Sequence, residues 1–402
     1  MSDPATSFRA RHYATGLWVR ISLDGGLIAG NFRDDADGDV GGPLPDQEWV
    51  APAFWDLQTN GRWVVSYSDP DLTPVQVAEI VRVQAALGTA RLCPTLITAP
   101  YESFIEGLKA IAAACEGDPV VGSMVTGIHL EGPYISPVDG YRGAHPYESV
   151  REPDWDEFRR FQDAAGGRVV LMTLAPEHPG ALGFIRRAVA SGVASALGHT
   201  GAEGDTLRAA ADAGATLSTH LGNGVASPLP RHPNPIWDQA GVDGLTASLI
   251  ADGHHLDLNT LKVLVRAKGP ERVILVSDAS PLAGLPPGDY GPGSVHPSGK
   301  IVLAETHYLA GSNQPLEIGL NNFMAATGLP LADAIDAVTT RPARLLKKPE
   351  PTLAAGQPAN FIVFRLTDAG EGAAPVVSLV RTCVDGLWTE CHSAERSAAI
   401  GA

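Results

Sequence analysis

Three side chains of this 402-residue chain have the types and surroundings of metal ligands. Glu131 sits in GIHLEGPY, His199 in ALGHTG and His220 in STHLGNG, each after an apolar run and close before a glycine. Two imidazoles and one carboxylate make an open catalytic site for a divalent ion, leaving a coordination position for water. Such an ion lowers the pKa of bound water to about 7 and polarises a carbonyl, the two services hydrolysis needs. The ordinary alternative is a hydrogen-bonded core histidine, the commoner fate of any single one. Three candidates at three successive apolar-run ends favour a shared site. Asp278, in ILVSDAS, follows another apolar run. A carboxylate there is costly to bury without a partner or a task. It reads either as a general base or as a helix N-cap, and the other three residues favour the base.

Something must bring residues so far apart in sequence together. Short apolar strands alternate with Ala-rich helical windows, as in FIEGLKAIAAAC then GSMVTGIHLEG, ALGFIRRAVASG then VASALGHTG, and LKVLVRAKG then RVILVSDA. This alternation argues for a parallel sheet with helical crossovers, and about eight such units fit a closed (β/α)8 barrel. Asp56, Gln58, Asn60, Glu131, His199, His220, Asp252 with His255, and Asp278 all fall at strand ends. In a barrel those ends open on one face, so the polar groups converge there. The polar and apolar alternation of residues 17–50, and again of NFIVFRL and VVSLVRTCVDGLWTE, reads as half-buried strands. The expected organisation is residues 1–50 and 349–402 pairing in a small β-sandwich around a catalytic barrel at 51–348.

Composition limits the partners. With 29 Lys plus Arg against 45 Asp plus Glu the net charge is -16, which argues against nucleic acid or an anionic membrane as partner. An anionic substrate then needs a locally basic pocket. No window approaches the ~18 uncharged apolar residues of a membrane span, and MSDPATSFRARH lacks a signal-peptide core, so the expected address is cytoplasmic. Cys93, Cys115, Cys383 and Cys391 form no CxxC pair and read as small, chemically quiet residues.

The segments PAFWDLQTNG, PTLIT, GIHLEGPYIS, ALGHTGA, THLGNGV, IADGHHLD, VSDAS, LAGS and TLAAGQPANFIVF resemble, in order and spacing, the N-acetylglucosamine-6-phosphate deacetylases of the amidohydrolase superfamily. The resemblance spans nearly the whole chain. It implies a (β/α)8 barrel with a β-sandwich from both termini, Glu131, His199 and His220 as metal ligands, and Asp278 as catalytic aspartate. Gln58 and Asn60 stand where most amidohydrolases carry an HxH pair for a second metal, which implies one divalent ion per subunit. Zn2+ is the first choice for that ion, with Fe2+, Mn2+ or Co2+ as alternatives. His145 is similar to the histidine that helps hold or polarise the substrate amide, with Ala144 beside it. Asn223, Gly224, Arg231 and His255 fall where the family contacts the sugar phosphate, and Leu309, Ala310 and Gly311 where its backbone lines the sugar. A guanidinium matches phosphate oxygens bidentately, which suits Arg231. The resemblance further implies a homodimer in which Arg231 or His255 serves the neighbouring active site.

Two stretches depart from the family pattern: HLGNGV with the following SPLPRHPNPIWDQ, and the Pro/Gly-rich 281–300, expected to be a loop over the mouth. The implied reaction is removal of acetate from N-acetylglucosamine 6-phosphate. The alternatives are a related single-metal deacylase acting on an N-acyl amino acid or a non-phosphorylated sugar, and a catalytically silent ligand-binding barrel.

Overall fold

The computed structural model describes residues 7–33, 47–304, 306–370 and 372–391. Parts of the expected terminal segments, at 1–6, 34–46 and 392–402, and residues 305 and 371 lie outside the described residues. Eight parallel strands form the central sheet: β1 (Phe54–Thr59), β2 (Thr89–Ile97), β3 (Ile128–Glu131), β4 (Val169–Leu174), β5 (Ala194–Leu197), β6 (Leu217–Ser218), β7 (Thr246–Ile250) and β8 (Val273–Val276). Each pairs with the next in sequence, and a Thr59 to Ala279 bridge joins the ends of β1 and β8 and closes the barrel.

The strands are short and apolar because both faces are covered. Inside, Leu57, Cys93, Leu171, Ala196, Ile250 and Ile274 pack against one another. Outside, helices such as Tyr101–Gly117 and Leu258–Lys268 bury one apolar face each, with Phe104, Leu108 and Ile111 on the first and Leu261, Leu264 and Val265 on the second. Local chemistry starts the helices. Thr73 and Gln76 form a reciprocal capping box, and Asp118, Asp154, Asn234 and Asp257 each accept first-turn N–H groups.

Both ends of the chain meet in one seven-stranded mixed sheet, ordered Leu387–Glu390, Val376–Val384, Phe361–Thr367, Glu48–Pro52, Ser7–His12, Trp18–Asp24 and Leu27–Arg33. The C-terminal strand Phe361–Thr367 runs antiparallel to Glu48–Pro52, with Phe361 opposite Pro52, so Glu48–Pro52 leads from this sheet straight into β1. Ile21, Ile28, Val50, Phe361 and Val363 make its core. The 281–311 stretch is more than a loop. It folds into three short antiparallel strands, Gly288–Asp289, Gly293–Val295 and Ile301–Leu303, over a small core of Leu282, Val295 and Ile301. Among the described residues no helix is long and apolar enough to cross a membrane, and the four cysteines are free.

Candidate metal centre and active site

Strand ends β3, β5, β6 and β8 deliver Glu131, His199, His220 and Asp278 to one buried point, none of them more than 8% exposed. Among non-glycine residues positive φ is rare, yet His199 (50°), His220 (30°) and Asp278 (50°) all adopt it. Backbone held in this region costs about 1–3 kcal/mol per residue and persists only where the surroundings over-determine it. They do so here. The His220 N–H donates to Ser248 Oγ at 2.8 Å. The turn after His199 is held by Glu177, whose carboxylate accepts from Gly201 N–H at 3.0 Å and from the Thr200 hydroxyl. No helix follows Asp278, so its N-cap reading falls away.

The ligand atoms converge. Glu131 Oε1 lies 3.2 Å from His199 Nε2 and 2.7 Å from His220 Nε2, and one atom from each of the three groups falls within 4.8 Å of the others. Tetrahedral ligands at zinc distances sit about 3.4 Å apart, so the spacing suits an ion. The tautomers suit it too. His199 Nδ1 faces the Tyr141 carbonyl at 3.0 Å and donates to it, which leaves Nε2 as the nitrogen that faces Glu131 Oε1. A cation between them resolves that contact. His220 Nδ1 is buried without a partner. Burial alone would raise the Glu131 carboxyl, but hydrogen bonds to His199 and His220 outweigh it and hold the group well below its ordinary range. These donors fit one divalent ion, whose identity a His2Glu set does not fix.

His145 stands beside this centre, its Nε2 3.2 Å from His199 Nε2. Its Nδ1 accepts the Thr98 N–H at 3.3 Å, so the proton resides on Nε2. Burial, followed by the neighbouring His199, pushes its pKa down to about 3, and the ring is a neutral N–H donor near pH 7. Such a donor can hold the oxygen of an amide carbonyl as charge develops on it. Across the site, Asp278 Oδ1 accepts from Gln58 Nε2 at 3.1 Å and Asn60 Nδ2 at 2.6 Å. Both carboxamides therefore serve the aspartate. Burial and then the Glu131 charge push the Asp278 acid up to about 6, within reach of general base work near neutral pH.

A cavity of about 520 Å³ opens over these groups, the size of a small-molecule site. Asn60, Ala144, His145, Asn223, Gly224, His255, Leu309, Ala310 and Gly311 line it. Gly224 has a φ of +60°, and a Cβ there would stand 2.9 Å from His199 Nδ1, so this wall needs glycine. His255 Nδ1 pairs with Asp252 Oδ2 at 2.8 Å, which leaves Nε2 as its uncommitted nitrogen on the cavity lining. Arg231 is exposed and lies off this lining, and among the described lining residues there is no lysine or arginine. Sequence reasoning passed over His307, an imidazole on the cavity wall without a hydrogen bond among the described residues. It also passed over Glu177, although Glu177 follows the end of β4 as the ligands follow theirs.

A (β/α)8 barrel carrying one buried His2Glu centre beside an aspartate at the end of β8 defines an amidohydrolase, and the Amidohydrolase family model matches residues 49–389. The chain is 34% identical over 372 residues to the N-acetylglucosamine-6-phosphate deacetylase of Bos taurus, covering 87% of each protein. It is also 34% identical over 340 residues to the N-acetylgalactosamine-6-phosphate deacetylase of Escherichia coli O157:H7, covering 81% of this chain and 88% of that one. Its fold superposes on a mutant N-acetyl-D-glucosamine-6-phosphate deacetylase of Mycobacterium smegmatis, in complex with N-acetyl-D-glucosamine-6-phosphate, with a TM-score of 0.82 at 30% identity over 96% of this chain and 99% of that one. The chain belongs to the N-acetylhexosamine-6-phosphate deacetylase family of amidohydrolases.

Proposed function

We propose that this chain hydrolyses the acetamide of an N-acetylhexosamine 6-phosphate to acetate and the free amine, with N-acetylglucosamine 6-phosphate as substrate. The observation that carries the reading is the convergence, in one cavity, of a metal-binding triad, a neutral imidazole donor and a buried aspartate with one oxygen free. Glu131, His199 and His220 would hold the divalent ion, Zn2+ by preference over Fe2+, Mn2+ or Co2+, which supplies Lewis acidity to the carbonyl and acidifies water. The His145 Nε2–H binds the carbonyl oxygen and strengthens its bond as the tetrahedral centre forms. Asp278, oriented through Oδ1 by Gln58 and Asn60, takes the proton of the attacking water and returns it to the leaving nitrogen. Leu309, Ala310 and Gly311 line the sugar.

The phosphate needs cations that the cavity's own lining lacks beyond imidazoles. His255 and, from a second copy of the chain, Arg231 supply them in this reading, so the working unit is a homodimer and its place is the cytoplasm. The test measures acetate release from N-acetylglucosamine 6-phosphate, N-acetylgalactosamine 6-phosphate and the two unphosphorylated sugars. A preference of at least tenfold in kcat/KM for the phosphorylated pair is expected. A preference for the unphosphorylated sugars would favour the alternative to which the absence of lining Lys and Arg points. Mixing inactive Arg231→Ala and Asp278→Asn protomers should restore activity if Arg231 acts across the dimer. Mixed protomers that stay as inactive as either parent would remove Arg231 from that role.

A further inference from the structure

We infer that Asp56 is a positioning residue for Asp278, acting through the backbone on both sides of the β1 and β8 seam. Asp56 lies in β1 at 2% exposure. One oxygen, Oδ1, accepts the Ser277 N–H at 3.1 Å and the Gln58 N–H at 3.3 Å. Ser277 immediately precedes the base, and Gln58 is one of the two amides bonded to it. Asp56 therefore joins the residue just before Asp278, whose φ is +50°, to the residue that orients its carboxylate.

Other bonds complete the seam without replacing this one. The Ser277 hydroxyl donates to the Gln58 carbonyl at 3.3 Å and accepts the Ala279 N–H at 3.1 Å. Asn60 N–H donates to the Ala279 carbonyl at 2.8 Å, and Ser312 N–H to the Asp278 carbonyl at 2.8 Å. All of these fix Asp278 from its C-terminal side or fix strand ends to each other. The N–H just before it turns to Asp56. Deleting that acceptor takes a buried side-chain partner from the Ser277 and Gln58 N–H groups, and the strained Asp278 backbone beside Ser277 can then relax.

Asp56 is not a reactant, because it borders a separate cavity of about 20 Å³, shared with Arg62, Gln84, Thr89 and Ser277, and does not line the substrate cavity. Both backbone bonds fall on one oxygen, so a neutral carboxamide can make them. Burial pushes the Asp56 acid up to about 7, in keeping with an acceptor whose charge is dispensable.

The inference rests on Asp278 being the base, and the test separates the two. Asp56→Ala, Asp56→Asn and Asp278→Asn are loaded with metal, checked for metal content, and assayed on N-acetylglucosamine 6-phosphate. Asp56→Ala should lower kcat at least 30-fold with KM within threefold and metal content unchanged. Asp56→Asn, which keeps the Oδ1 acceptor, should restore kcat to within threefold of the parent. Should the alanine variant not fold, the asparagine variant carries the test alone. A folded, metal-loaded Asp56→Asn that loses more than tenfold in kcat overturns the inference, as does an Asp56→Ala with parental kcat. An active Asp278→Asn would instead overturn the base assignment itself.

Discussion

The side-chain amide of Asn60 donates to Oδ1 of Asp278 across 2.6 Å, the shortest contact the aspartate makes with its two carboxamide neighbours. With Oδ1 committed, Oδ2 is the oxygen left to move protons. Asp278→Asn preserves shape and keeps Glu131, His199 and His220 in place. It should therefore retain one equivalent of metal while kcat falls by about 10³-fold or more, beyond the usual 10² to 10⁴ span's lower half for a single acid or base. Metal analysis beside steady-state kinetics checks this, and parental turnover would remove Asp278 from the chemistry.

Removing the Asn60 donor predicts a shift in pH dependence with a definite sign. In the proposed mechanism Asp278 works as a base only when ionised, so kcat should rise as pH climbs through its pKa. Burial and Glu131 push that value up, and the Asn60 hydrogen bond pulls it down by favouring the carboxylate. Asn60→Leu loses the downward pull. Its acid limb of log kcat against pH should move to higher pH than the parent's, and a limb that stays or moves lower would contradict the role given to the amide.

The metal triad predicts a link between ion and stability. Glu131 Oε1 and His220 Nε2 sit 2.7 Å apart, within hydrogen-bonding range. Glu131→Gln keeps the volume but removes the charge that holds a dication, so bound metal should fall well below one equivalent. An ion that binds only the folded state at 100 times its Kd stabilises it by about 2.7 kcal/mol. Chelation should therefore lower the Tm of the parent and leave that of Glu131→Gln unmoved. Equal responses would place the ion elsewhere.

Much of this was legible in the residues themselves. The strand and helix alternation gave the barrel because apolar runs covered on both faces differ visibly from amphipathic helices. The four strand-end residues Glu131, His199, His220 and Asp278 could then be placed on one rim. Gln58 and Asn60 were legible as amides where a second metal's histidines would stand, but their bonds to Asp278 depend on the closure of β1 against β8, which is invisible in linear spacing. His129 was hidden by its neighbour Glu131. It points into the barrel between Thr95 and Thr173, and burial lowers its pKa to about 4, so it is a neutral core histidine. The 281–311 sheet was obscured because its three strands are only two or three residues long, beneath the reach of any periodicity. Arg231 illustrates the opposite limit: the family resemblance implied a phosphate ligand, yet one copy of the chain leaves this residue exposed, away from the cavity lining.

The Asp252 and His255 pair supplies a stability prediction. Burial alone would raise the Asp252 carboxyl, but the His255 imidazole and the backbone N–H groups of His254 and His255 outweigh it and hold the group below its ordinary 3.8. A carboxyl depressed by folding contributes stability that is present above its unfolded pKa and lost as pH falls through the folded one. At pH 7 Asp252→Asn should cost about 2 kcal/mol, the scale of a hydrogen bond to a charged group. The gap between variant and parent should hold down to about pH 4 and shrink below it, because the unfolded parent's carboxyl then takes up a proton that the folded one does not. Urea unfolding of both proteins from pH 7 to pH 3 measures it. A gap that widens in acid would mean that Asp252 is held by something other than its ionised form.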